Sequence, residues 1–178
     1  RVLANTRRLT LLREVWRRPG QTVEGIAIRV NLPPALASRY LRELNARGLL
    51  SVSRSGSCVY YRFAANPSVP QAPVLAVALE KTFRARGDPL QAIFRDATAL
   101  THPRRIELVA ALQAGAATRY ELCRRTGISW PAVSRHMAKL VDRGFVSESE
   151  RGCELAEPSS PLAVAFLGLV TPRVPGAS

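Results

Sequence analysis

The sequence predicts a mainly α chain with small β-hairpin wings, an α+β arrangement in which one compact unit is used twice. Three observations predict it: an internal repeat, apolar residues at helical spacing within each copy, and a short alternating hairpin after the third helix of each.

The repeat comes first. Residues 38–50 read SRYLRELNARGLL and residues 134–146 read SRHMAKLVDRGFV, an offset of 134 − 38 = 96. Ser38/Ser134, Arg39/Arg135, Leu44/Leu140, Arg47/Arg143 and Gly48/Gly144 are identical pairs, and Leu41/Met137, Leu49/Phe145 and Leu50/Val146 stay apolar. Upstream, Thr6–Leu12 resembles Pro103–Val109 with the offset shifted by one, and Thr22 aligns with Thr118. Downstream, Pro73–Leu79 resembles Pro161–Leu167. The period is too long for a solenoid, so two copies of a small domain are expected: residues 1–70, then connecting helices of a dimerisation type over 71–100, then 101–178 with a C-terminal helix.

Within each copy the elements follow in order. Apolar residues at 9, 11, 12, 15 and 16 predict a first helix ended by Pro19-Gly20; its counterpart runs from about Pro103 to Leu112 and stops near Gly115. Second helices start at Thr22 and Thr118, where Thr118 and Glu121 have capping-box spacing. Third helices span about Pro33–Ala46 and Pro131–Asp142, with proline tolerated in the first turn and Ser129 as an N-cap. Gly48 and Gly144 sit just past their ends, where a positive φ is wanted. Hairpins follow, Leu49–Arg54 with Cys58–Phe63, and Phe145–Glu150 with Cys153–Ala156 around Arg151-Gly152. Pro73–Arg86, Pro89–Leu100 with Asp88 as N-cap, and Pro161–Val170 complete the helices.

Three helices and a hairpin, with a tight turn between the second and third helices, is the order of a winged helix-turn-helix. In such a unit the third helix enters the major groove of duplex DNA. Ala37, Leu41 and Leu44, and Val133, Met137, Leu140 and Val141, are expected to face the core. Ser38, Arg39 and Arg42, and Ser134, Arg135 and Lys139, then carry the polar face, and Pro34, Trp130 and Pro131 the leading end. Arginine can grip guanine through O6 and N7, and serine can donate to a base edge or a phosphate. The first wing adds Arg54 and Arg62 for phosphate contact. The second carries Glu148, Glu150, Glu154 and Glu157, which repel phosphate, so unequal binding by the two copies is expected.

Composition points the same way. Lys+Arg number 26 against 13 Asp+Glu, a net charge of +13, and only Lys81 and Lys139 are lysines. Codon bias explains arginine in place of lysine but not a twofold excess of bases, so double-stranded DNA is the expected partner. Residues 1–20 lack an uninterrupted apolar segment, so no secretory signal is expected, and no apolar run suggests a membrane span. Three cysteines at wide spacing do not make a disulfide framework, and a reducing cytoplasm is expected. Cys58 and Cys153 both open a return strand and are candidate redox positions. The two histidines, His102 and His136, form no nucleophile–base pair, and no phosphate-binding glycine loop occurs, so an enzyme is not expected.

Gly127–Val146 closely resembles the recognition helix of the ArsR-type winged-helix transcriptional regulators, and His102–Val109 is similar to that family's first helix. The first copy is similar but more diverged. Family members usually carry one domain and pair as homodimers through terminal helices. Two domains in tandem therefore imply a single-chain pseudo-dimer joined by the helices at 73–86, 89–100 and 161–170, with a further homodimer left open. The resemblance also suggests a thiolate metal site around Glu121-Leu-Cys123-Arg-Arg, but the second cysteine of such sites is replaced by Arg125, so neither metal nor cofactor is expected. Tandem winged helices serving as a protein-interaction module or as an architectural chromosome binder are the alternatives.

Overall fold

A computed structural model of the chain describes residues 2–150 and 152–171. The chain divides into two compact units, Arg1–Phe94 and Arg95–Ser178. The division falls inside a helix, Pro89–Ala99, within the segment expected to connect the copies.

Unit one opens with α1 (Thr6–Arg17), started by Asn5, whose side chain accepts from the Arg8 amide. It continues through β1 (Gln21–Thr22), α2 (Val23–Arg29), α3 (Pro34–Ala46), β2 (Leu50–Ser55), β3 (Cys58–Phe63) and α4 (Ala72–Arg84). Thr22 caps α2 by accepting from the Gly25 amide at 3.2 Å. Leu9, Leu11, Leu12 and Val15 of α1, Ile26 of α2, and Ala37, Leu41 and Leu44 of α3 are buried together as the apolar stripes of a three-helix core. Phe83 of α4 stacks on Trp16 with ring centroids 5.2 Å apart and meets Phe63 edge-on at 6.3 Å, which fastens α4 to α1 and β3. The sheet has the order β1-β3-β2, all antiparallel. β1 was not anticipated: two residues, Gln21 and Thr22 opposite Tyr61 and Tyr60, are too few to show alternation.

After α5 (Pro89–Ala99), whose first amides are capped by Asp88 Oδ1, unit two repeats the plan with α6 (Pro103–Gln113), α7 (Arg119–Thr126), α8 (Trp130–Asp142), β4 (Val146–Ser149), β5 (Gly152–Leu155) and α9 (Pro161–Leu169). Leu108, Val109, Leu122, Val133, Met137, Leu140 and Phe145 form its core, with Ala163 and Val170 from the C-terminal end. Gln113 Nε2 donates to the Leu167 carbonyl at 2.9 Å, and Ser160 donates to the buried Asp96 carboxylate. The Thr118–Glu121 capping box is complete. The fold is thus a mainly helical α+β winged helix-turn-helix, with antiparallel wings in both units.

Three expectations are corrected. Val141 is 38% exposed rather than in the core. At about 100° per residue it lies some 90° from the centre of the face formed by Val133, His136, Met137 and Leu140, which with Ala132 are the buried residues of α8. Ser129 does occupy the N-cap of α8, but its side chain makes no capping hydrogen bond. Gly152 begins β5 rather than forming the second wing's turn, and Arg151 lies outside the described residues.

Candidate nucleic-acid interface

Each helix-turn-helix is set by a left-handed residue between its two helices. In unit one it is Asn31, φ 51°. In unit two it is Gly127, φ 69°, whose amide closes α7 on the Cys123 carbonyl at 2.8 Å. A third helix with one face buried must present its other face, and the side chains divide accordingly. On α3, Pro34, Arg39 and Arg42 are exposed and Ser38 is half-buried. On α8, Trp130, Pro131 and Arg135 are exposed, and Ser134 and Lys139 are half-buried. Trp130 leaves 53% of its surface open at the first residue of the helix. Arg54 and Arg62 are exposed on the first wing.

Local partners tune these groups. The Arg39 guanidinium lies over the Tyr40 ring, 5.3 Å from its centroid, and 3.7 Å from Glu43. Glu43 is also paired with Arg8, which weakens its hold on Arg39. Arg42 Nε donates to the Ser38 carbonyl at 3.4 Å, and Lys139 pairs with Asp142 at 3.0 Å. Such exposed pairs contribute about 0.2–1 kcal/mol each, so a phosphate can displace them.

The wings are not alike. Six ladder pairs join β2 to β3, but only four join β4 to β5. The register makes Cys153 the counterpart of Tyr61, not of Cys58. Cys153 lies opposite Glu148 and bridges to Ala117, and Tyr61 lies opposite Val52 and pairs with Gln21; the partners Glu148/Val52 and Ala117/Gln21 each stand at the offset of 96. The two cysteines singled out as redox candidates are therefore not repeated positions. Cys58 is exposed, whereas Cys153 is buried, and burial followed by the neighbouring Glu148 carboxylate pushes its thiol pKa up. A buried thiol held protonated is a poor nucleophile.

Two arrangements escaped the sequence reading. His102 and His136 stack with ring centroids 4.4 Å apart, and His136 Nε2 is buried without a hydrogen-bond partner. Arg119 of α7 forks onto Glu148 of β4, with contacts of 3.1, 2.7 and 3.0 Å. Only the tertiary fold joins residues so far apart in sequence. Among the described residues, no group of three or more His, Cys, Asp or Glu side chains is placed to hold a metal ion, and no helix is long and apolar enough to cross a membrane.

Residues 96–170 match the family described as the HVO_A0261 N-terminal domain, a span confined to unit two. No curated protein matches the chain. Among solved structures, reduced HlyU from Vibrio cholerae N16961 is a partial likeness at 23% identity, covering 42% of this chain and 77% of that one with a TM-score of 0.34.

Proposed function

We propose that this chain is a sequence-specific, double-stranded DNA-binding transcriptional regulator whose two winged helices act as a single-chain pseudo-dimer. The observation that carries the reading is the repeated polar face of the third helix. Arg39 and Arg135 occupy matched positions, both exposed, each beside a half-buried serine and opposite a buried apolar stripe. The excess of 26 bases over 13 acids supports a polyanionic partner. The pseudo-dimer follows from the repeat, since two like units on one chain can supply what two subunits supply elsewhere.

Binding to site-selected and random duplexes, each at two salt concentrations, tests this. The selected duplex is expected to bind more tightly, with affinity falling as salt rises. Affinity equal for all sequences points to an architectural binder, and absence of salt-dependent binding to a protein partner. Arg39→Ala together with Arg135→Ala is expected to cost about 1–3 kcal/mol of discrimination per lost guanine contact while the unfolding midpoint stays in place. Retained preference in that double variant overturns the assignment of the reading residues.

A further inference from the structure

We propose that the Arg119–Glu148 fork is an autoinhibitory contact, in which a wing carboxylate occupies the guanidinium that a DNA phosphate would take. This rests on the DNA-binding reading above. Arg119 is the first residue of α7, at the positive end of the first helix of the helix-turn-helix. Its Nε and Nη2 both donate to Glu148 Oε1 and Nη2 reaches Oε2 as well, so the donors that could grip a phosphate are taken up by one carboxylate. Across the ladder, the Cys153 thiol lies 3.5 Å from Glu148 Oε1, and the Cys153 backbone exchanges two hydrogen bonds with Ala117. The carboxylate is thereby aimed at the start of α7. The side chains of Arg119 and Glu148 remain 31% and 36% exposed, so a phosphate can reach and replace the carboxylate.

The sister copy shows that the scaffold does not need this pair. At the same offset of 96, Arg119 and Glu148 correspond to Val23 and Val52. Two valines thus stand where unit two has a cation and an anion, on the same helix start and the same ladder position. The first wing is also free of rival carboxylates, since no Asp or Glu occurs between Glu43 and Glu80. The fork is an addition to unit two that takes a cation out of play, so the unaltered chain makes one phosphate contact fewer than its arginines would allow.

Glu148→Gln keeps the shape and an acceptor for Cys153 but releases Arg119. Glu150→Gln, on the same wing, removes an equal charge without touching the fork. With a random duplex of about 30 base pairs, E148Q is expected to steepen the plot of log affinity against log salt by ~0.9, one extra phosphate contact, and E150Q to leave the slope unchanged. R119V combined with E148V, the pair already carried by the folded sister copy, is expected to return the slope to that of the unaltered chain. Equal slopes for E148Q and E150Q overturn the fork's role, as does a gain that persists in R119V with E148V. An unaltered chain with no salt-dependent duplex binding overturns the DNA reading itself, and the fork with it.

Discussion

Gly48 and Gly144 fill the same place in the two copies, just beyond the third helix, with φ of 71° and 75°. Their surroundings differ. A Cβ on Gly48 would lie 2.8 Å from the Ala72 Cβ and 2.9 Å from the Val69 Cβ, whereas a Cβ on Gly144 would meet nothing within 4 Å. The repeat therefore separates backbone strain from crowding. Gly144→Ala is expected to cost about 1–2 kcal/mol, for a left-handed residue with a side chain. Gly48→Ala should cost that plus about 1–3 kcal/mol for overpacking against Val69 and Ala72. Urea midpoints of the two variants measure the difference, and equal losses would remove the crowding argument. Both glycines were legible in the sequence, because a stop after a helical stripe has few chemical solutions. The crowding was not, because Val69 and Ala72 reach Gly48 only through the chain's return into α4.

Among the elements, the packing of α8 on the start of α6 holds a titratable group, His136. His136 is buried in the stripe of α8 against His102, which itself caps α6 by accepting from the Arg104 amide at 3.1 Å. Burial lowers the His136 pKa first, and His102, Arg105, Arg135 and Arg104 lower it further. The unfolded chain thus binds this proton more readily than the folded one. Stability from the neutral ring is present above the ordinary imidazole pKa of about 6.5 and is lost as pH falls below it. Chemical denaturation between about pH 7 and about pH 5 should show a fall in stability that His136→Gln reduces. A fall of the same size in the variant would assign the acid sensitivity elsewhere. The helices were legible from periodicity and from caps such as Thr118 with Glu121. The wings were legible as hairpins but not in register. A second hairpin shorter by two ladder pairs put Cys153 at the place of Tyr61, and the alternation of apolar and polar residues survives such a shortening unchanged. That is why Cys58 and Cys153 looked equivalent and are not.

Across the whole molecule the two units share a plan but differ in charge, and the difference bears on how one chain would read two half-sites. The first wing offers Arg54 and Arg62 without a carboxylate nearby in sequence; the second offers Glu148, Glu150, Glu154 and Glu157. The reading helices are matched where the wings are not, so under the pseudo-dimer proposal unit one supplies most of the phosphate attraction and both units supply base contacts. One chain should then occupy one bipartite site, with half-sites about one helical turn apart. Inserting about 5 base pairs between the half-sites turns the second to the opposite side of the duplex, beyond what a covalent connection accommodates. Affinity is expected to fall to that of a duplex carrying a single half-site, and Arg135→Ala, costly on the original spacing, should then cost nothing further. Inserting a full turn of about 10 base pairs restores the facing but lengthens the reach, so recovery there would measure how freely the two units move on their connection. Equal binding at all three spacings would mean that the units bind independently or that one of them does not bind at all, and Arg39→Ala set against Arg135→Ala on a single half-site would name the unit that remains.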